Sequence, residues 1–329
     1  MKISSPMATG NGAYIIHKVL EEKIPGYHVN DYSPYWTIFP PALPFLNRSN
    51  YSADIIHTTP DHAWFFKNKK TPLIITFHNF VLDQFMTTCS SFSQQIHYKT
   101  DLRYFTRKSL KHAHHVTSVS QYTADIVRKE LSYSGQIEVI YNGVDKDMFS
   151  PKRKSSGKNI KVLFSGNLTS RKGAYLLPQI AKKLGRGIEI LYTQGLRTRI
   201  KLPKLPNLKC IGAVSFAQMP NIYNQADILL FPTFREGFGL AAAEAMACGL
   251  PVIASNCSSL PELVVDGSGG YLCEMGNVDE FATKINTLSE SPELRHEMGE
   301  FNRNRVEIKF AVERMVNEYA DLFMRSLSR

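Results

Sequence analysis

The chain of 329 residues has no run approaching about 18 apolar residues, so no segment reads as a membrane-spanning helix. Its start, MKISSPMATG, lacks the apolar core of a signal peptide, which makes a cytoplasmic location the expectation. Cysteine is sparse and odd in number. Cys89, Cys210, Cys248, Cys257 and Cys273 contain no CxxC pair, which argues against a disulfide framework and a thiolate metal site and predicts buried free thiols. Internal repeats and low-complexity tracts are missing too, which excludes solenoids and disordered tails. Acidic residues are in deficit, with 29 Asp and Glu against 39 Lys and Arg. The excess is not one block, because residues 1–150 hold 15 Lys and Arg against 12 Asp and Glu. No nucleic-acid-binding motif accompanies it, so the charge suits a phosphate-bearing ligand or an anionic bilayer better than nucleic acid.

Short β-like runs at 53–57, 73–77, 115–119, 137–141, 161–164, 188–192, 209–212, 228–231 and 252–254 alternate with amphipathic helical runs. Alternation of this kind predicts parallel α/β architecture. The polar, basic stretch SPKRKSSGKN (150–159) reads as an interdomain linker, dividing the chain into domains 1–150 and 151–310.

Residues 231–255, FPTFREGFGLAAAEAMACGLPVIAS, put two carboxylates, Glu236 and Glu244, eight positions apart around a glycine-rich helix start. Gly237 and Gly239 allow a tight turn and close approach of a ligand. Good helix formers follow, and Gly249 with Pro251 marks the stop. On one continuous helix, eight steps of about 100° would leave the two carboxylates roughly 80° apart. They converge only if Glu236 lies in the loop. Glu236 is expected to accept hydrogen bonds from sugar hydroxyls and Glu244 from the two ribose hydroxyls, both as ionised acceptors. The plainer alternative is a solvated loop carboxylate and a helix-stabilising one. The N–H groups of Gly237, Phe238, Gly239 and Leu240 would face a nucleotide-sugar diphosphate. A second loop, GNLTSRKG (166–173), after the run 161–164 and before a helix expected from about Ala174, places Lys172 to meet phosphate.

With SGNLTSRKGAYLL (165–177), VIYNGVDKDMF (139–149), SVSQYTADIV (118–127) and LPELVVDGSGGYL (260–272) in the same order, the chain resembles the retaining glycosyltransferases of family 4. The resemblance covers most of the C-terminal half and patches of the N-terminal half. It implies the GT-B fold, an α/β architecture of two Rossmann-like domains facing a central cleft. The second domain would hold a UDP- or GDP-sugar, and the C-terminal helix, 311–329, would cross back to the first. It also implies retention at the anomeric carbon, giving an α-linkage through a front-face substitution in which the leaving phosphate takes the acceptor's proton. That family's phosphate loop reads Gly-Arg, four residues, Lys-Gly; here Asn167 stands at the arginine position, and Arg171 beside Lys172 is the substitute. No acidic triplet is read as a metal site and no cofactor is expected. Lys172, Arg171 and the helix start would take a cation's role at the leaving diphosphate. Backbone near 212–214, at Val214, would meet the base.

In the first domain the resemblance places His78, within LIITFHNF (73–80), near the sugar or acceptor, at a strand's C-terminal edge. His57 follows another strand by the same logic. Gly10 and Gly12, in TGNG (9–12), would let a ligand approach. The third glycine of a dinucleotide fingerprint is replaced by Ile15, although Asp31 lies about twenty residues on. An NAD-dependent oxidoreductase therefore stays open, as do a nucleotide-sugar epimerase of the same fold and a non-catalytic binding protein. The acceptor would be a glycan or lipid-linked. The stretch YSPYWTIFPPALPFL (32–46) reads as a packed loop or a surface that meets lipid or a sugar chain. Arg103, Arg107 and Lys111 on one helix, and Phe65, Phe66, Lys67, Lys69 and Lys70, are candidates for an anionic membrane face.

Overall fold

Two parallel six-stranded sheets organise the chain in a computed structural model that describes residues 1–46, 52–83, 85–86, 92–152, 159–195, 198 and 200–328. The first sheet contains β1 (Ile3–Ala8), β2 (Tyr27–Tyr32), β3 (Ile55–Thr58), β4 (Leu73–Phe77), β5 (His115–Ser118) and β6 (Glu138–Val139), in the order β2-β1-β3-β4-β5-β6. The second contains β7 (Ile160–Phe164), β8 (Ile188–Thr193), β9 (Leu208–Gly212), β10 (Ile228–Phe231), β11 (Val252–Ser255) and β12 (Gly270–Cys273), in the order β12-β11-β10-β7-β8-β9. Central strands such as β4 (LIITF) and β10 (ILLF) are buried along their whole length, as parallel strands covered on both faces must be. All nine expected strands form. β1 is the presumed first strand before TGNG, and the two remaining strands, β2 and β12, are edge strands without a readable pattern: YHVNDY has no apolar run and GYLC is too short.

The chain divides into two compact units, Met1–Asn142 with Glu313–Arg329, and Gly143–Val312. The break after Asn142 lies earlier than the expected 150/151, and packing explains it. Val144 bridges Ala311, Phe149 is buried edge-on against Tyr223, and Arg303 Nη1 donates to the carbonyls of Lys146 and Phe149. Residues 143–150 are thereby tied into the second unit. The polar stretch that suggested a linker follows them, and its residues 153–158 lie outside those described.

The helix Val312–Leu327 supplies Tyr319 and Phe323 to the first unit, both fully buried, against His57 and Tyr27. Burial of two such side chains contributes about 1.5–3 kcal/mol each, enough to hold a helix that the rest of the unit precedes by 170 residues of intervening chain. Leu327, at the end of the helix, is exposed.

The stretch 32–46 does not pack as a loop core. It forms two 3-10 turns, Pro34–Ile38 and Pro40–Ala42, and a short helix, Leu43–Leu46, burying Tyr32, Pro40 and Leu43. Tyr35 (81% exposed), Ile38 (82%), Phe39 (65%) and Phe45 (80%) face outward. The cysteines also divide: Cys248 and Cys273 are buried, Cys257 is half-buried, but Cys210 is exposed, because it sits on edge strand β9. Cys89 lies outside the described residues. Among the described residues, no helix is long and apolar enough to cross a membrane.

Candidate functional site

In the second sheet the order of strands reverses between β7 and β10, and the loops leaving their C-terminal ends are 165–173 and 232–239. Open parallel sheets bind ligands at such a switch point. The two loops are pinned together. Phe234 N and Thr233 Oγ1 donate to the Arg171 carbonyl at 2.8 and 3.0 Å, and Arg171 Nη1 donates to the Arg235 carbonyl at 2.9 Å. Gly173, at φ +71°, comes so close that a Cβ there would lie 2.0 Å from the Pro232 oxygen. Arg171 thus has a part in joining the loops, a different task from the phosphate contact expected of it.

This pinning brings Lys172 and Glu236 together. Lys172 Nζ lies 2.5 Å from Glu236 Oε1, with both side chains largely buried and the ammonium 4.9 Å above the Phe231 ring centroid. Thr233 Oγ1 donates to the same carboxylate oxygen at 3.0 Å, and Glu236 N donates to Ser258 Oγ at 3.0 Å. Glu236 does lie in the loop, since the helix Leu240–Ala247 begins four residues later.

Gly239 caps that helix at φ +101°, a conformation that favours glycine. The cap makes no side-chain hydrogen bond and no acidic residue stands in the first turn, so the helix start keeps its positive field for an external anion. Ser259 Oγ donates to the carbonyls of Glu236 and Phe238, fixing the turn. The Phe238 ring is buried edge-on against Phe310, so a ligand would meet this residue through its backbone.

Glu244 is half-buried on the same helix and accepts a hydrogen bond from the Tyr223 hydroxyl at 2.8 Å; that hydroxyl is also 3.3 Å from Ser165 Oγ. Burial pushes the Glu244 carboxyl up to about 7, against the opposing pull of the Tyr223 hydrogen bond and the Lys172 charge. Asn167 packs beside Gly195, where a Cβ would fall 2.1 Å from its Oδ1. Val214 is half-buried after β9, just past Gly212 at φ +80°. The helix expected from Ala174 opens as a 3-10 turn, Ala174–Leu176, and becomes α-helical at Leu177.

In the first unit the strand order reverses between β1 and β3. Gly10, at φ +78°, and Gly12 follow β1, and a Cβ at either would meet open space. Asn11 caps the helix Gly12–Lys23. His78 follows β4 directly, with its Nε2 3.1 Å from His17 Nε2; burial alone lowers it to about 3. His57 does not reach a surface. It is fully buried, with Tyr27 on Nδ1 and Thr76 on Nε2, so it is a core residue and no ligand contact. Arg103 is also engaged internally, donating to the carbonyls of Glu130 and Leu82, while Arg107 and Lys111 are exposed.

Sequence reasoning missed Tyr223, Thr233, Ser258, Ser259 and His17. Thr233 was findable, as the polar residue just after an apolar strand and three before Glu236. Tyr223 was not, because nothing in MPNIYNQ marks the face that meets Glu244. The triplet Asp145-Lys146-Asp147 was passed over as well; there the Asp145 carboxylate accepts from the N–H groups of Asp147 and Met148 and closes a turn.

Two family models match the chain: Glycosyltransferase Family 4 over residues 6–148 and Glycosyl transferases group 1 over residues 145–305. An uncharacterized glycosyltransferase of Methanocaldococcus jannaschii is 30% identical over 218 residues, covering 65% of this chain and 60% of that protein. The capsular polysaccharide biosynthesis glycosyltransferase CapM of Staphylococcus aureus is 31% identical over 176 residues, covering 50% of this chain and 46% of that one. The chain thus spans about half of these relatives' own lengths. Among solved structures, Anabaena HepE in complex with UDP superposes with a TM-score of 0.79 at 18% identity, covering 99% of this chain and 100% of that one. At that identity the likeness shows the fold, and the fold is the α/β GT-B type.

Proposed function

The chain belongs to the glycosyltransferases of group 1 and family 4, and from that premise we propose that it moves a sugar from a UDP- or GDP-sugar to a glycan or lipid-linked acceptor with retention, forming an α-linkage. The observation that carries this reading is the Lys172–Glu236 pair beside the start of the helix Leu240–Ala247, whose glycine cap makes no side-chain hydrogen bond. A diphosphate draws the ammonium and the helix field, while Glu236 accepts hydrogen bonds from sugar hydroxyls and Glu244 from the ribose. The base rests on backbone near Val214. As the bond between anomeric carbon and diphosphate oxygen breaks, the charge developing on that oxygen is met by Lys172 and the N–H groups of 237–240. The acceptor oxygen bonds to the same face of the carbon, and its proton passes to the departing phosphate. This route needs neither a protein nucleophile nor a cofactor, and Lys172 supplies the charge that a metal ion otherwise would.

His78, with Gly10 and Gly12, is proposed to meet the sugar or acceptor. That HepE was crystallised with UDP, and that CapM acts in capsular polysaccharide biosynthesis, supports a nucleotide-sugar donor and a cell-envelope acceptor. A cytoplasmic protein resting on an anionic membrane is consistent with the exposed aromatic stretch after β2. Family membership favours transfer over epimerisation or NAD-dependent oxidation.

Thermal denaturation with UDP, GDP, ADP and NAD in the presence of chelator tests the reading. A ligand at a hundred times its dissociation constant stabilises by about 2.7 kcal/mol. UDP or GDP alone is expected to shift the transition, and Glu236→Ala to abolish transfer while largely preserving the fold, with a lower but still cooperative transition because Lys172 loses its partner. A shift with NAD only would overturn the assignment.

A further inference from the structure

Beneath His78 the first unit buries a continuous chain of polar groups. His17 Nε2 is 3.1 Å from His78 Nε2, and His17 Nδ1 is 2.7 Å from Ser5 Oγ and 2.8 Å from the Tyr27 hydroxyl. The same hydroxyl is 2.7 Å from His57 Nδ1, His57 Nε2 is 2.7 Å from Thr76 Oγ1, and Thr76 Oγ1 is 2.6 Å from Thr117 Oγ1 and 3.3 Å from the Tyr319 hydroxyl. His17 and His57 are fully buried, their rings 4.6 Å apart, and Tyr319 comes from the helix Val312–Leu327. Hydrophobic residues of similar size would fill this space without the desolvation cost of so many polar groups.

Proton bookkeeping shows what the chain does. Burial keeps all three histidines far below their ordinary value, so each is neutral, with one N–H and one bare nitrogen. Tyr27 has one proton for two ring nitrogens. If it donates toward His17 Nδ1, His57 must donate to Tyr27 from Nδ1, and His17 donates from Nε2 to His78 Nε2. His78 then carries its proton on Nδ1. If Tyr27 donates to His57 and Ser5 or Tyr27 accepts from His17 Nδ1, every bond reverses and His78 Nδ1 becomes an acceptor; the coupling is lost only where Ser5 instead donates to His17 Nδ1. In each of the two coupled arrangements His57 and His78 share a tautomer and His17 has the opposite one. Among the described residues His78 Nδ1 is buried and has no hydrogen-bond partner, so this atom at the end of the chain of groups is where the arrangement is expressed.

We propose that His17 and Tyr27 are positioning residues that set the tautomer of His78, and so fix its buried, unpartnered Nδ1 as a defined donor or a defined acceptor for the group that substrate brings to it. The role in transfer rests on the reading that His78 touches sugar or acceptor; the coupling among the three rings does not.

The test uses the full chain with 15N-labelled histidine, reading each ring's tautomer from its long-range 1H–15N pattern. The expected result is one tautomer for His57 and His78 and the other for His17. The same tautomer on His17 and His57 overturns the coupling. Tyr27→Phe keeps the ring against Phe323 and removes the shared oxygen. It should give His78 a mixed tautomer and lower kcat by about tenfold, the order of one misdirected hydrogen bond, with KM changing far less. Turnover is followed as nucleotide release from UDP-glucose or GDP-mannose, whichever nucleotide binds. Ser5→Ala, a smaller change, is expected to shift the His17 signals and leave the fold intact. Unaltered His78 tautomer and kcat in Tyr27→Phe would sink the proposal. His78→Ala separates the two layers: wild-type turnover there removes His78 from the reaction, while the tautomer pattern still decides the coupling.

Discussion

Glu244 titrates where cells live, and that makes its role measurable. Its carboxyl sits at about 7, raised above an unfolded value of 4.5. A raised carboxyl favours the folded state below the unfolded value, and this contribution is lost as pH rises from about 4.5 through about 7. Ribose hydroxyls donating to the carboxylate favour the opposite, charged form. Affinity for UDP-glucose, whose diphosphate loses no proton in this range, should therefore climb between pH 6 and 8, by at most about tenfold per unit, and flatten above it. In Glu244→Gln the titration should be weaker overall and level with pH. Calorimetry across this range decides, and a level wild-type profile would take the ribose away from Glu244. The two carboxylates and Lys172 were legible in the sequence because their types, spacing and glycine frame are local. Tyr223 and His17 were not, because their partners Glu244 and His78 are 21 and 61 positions away and meet them only through the fold.

Among elements, the phosphate loop and the strand–helix loop act as one part because of Gly173. Alanine there meets two obstacles, the left-handed φ of +71° and the Pro232 oxygen 2.0 Å from its Cβ. The first costs about 1–2 kcal/mol and the second forces the loops apart. Gly173→Ala is expected to lower stability by more than about 2 kcal/mol and to weaken UDP binding together with it, since Lys172 leaves Glu236. Gly267→Ala is the control, with φ +76° but open space around its Cβ. It should cost only about 1 kcal/mol and leave binding untouched. Equal effects on UDP affinity in the two variants would show that the close approach is unimportant. The helix Leu240–Ala247 was readable to the residue, because Gly239 and Gly249 bracket a run of strong helix formers. The start near Ala174 was misplaced because Pro178, which suits a first turn, sets the α-helix later.

For the molecule as a whole, apolar alternation revealed the two sheets, and edge strands escaped because they are half-polar or short. The aromatic stretch 32–46 was ambiguous in sequence, since composition does not say which way a ring points. Its outward Tyr35, Ile38, Phe39 and Phe45 belong to the same unit as exposed Lys67, Lys69, Lys70, Arg107 and Lys111. On the proposed membrane reading, the chain should sediment with phosphatidylglycerol vesicles and not with phosphatidylcholine alone. Salt should weaken the association, each cation being worth about 1 kcal/mol near the surface, and Ile38→Ser with Phe39→Ser should weaken it further. Equal recovery with both lipids would remove the membrane from the account. The helix Val312–Leu327 carries one further consequence. The first unit is written in two instalments, with the whole second unit between them. During synthesis, residues 143–312 can fold as soon as they emerge, whereas the first sheet must wait with His57 and Tyr27 uncovered until Tyr319 and Phe323 arrive. The order of translation is therefore the reverse of the order of completion: of the two units, the one begun first is the last to become native.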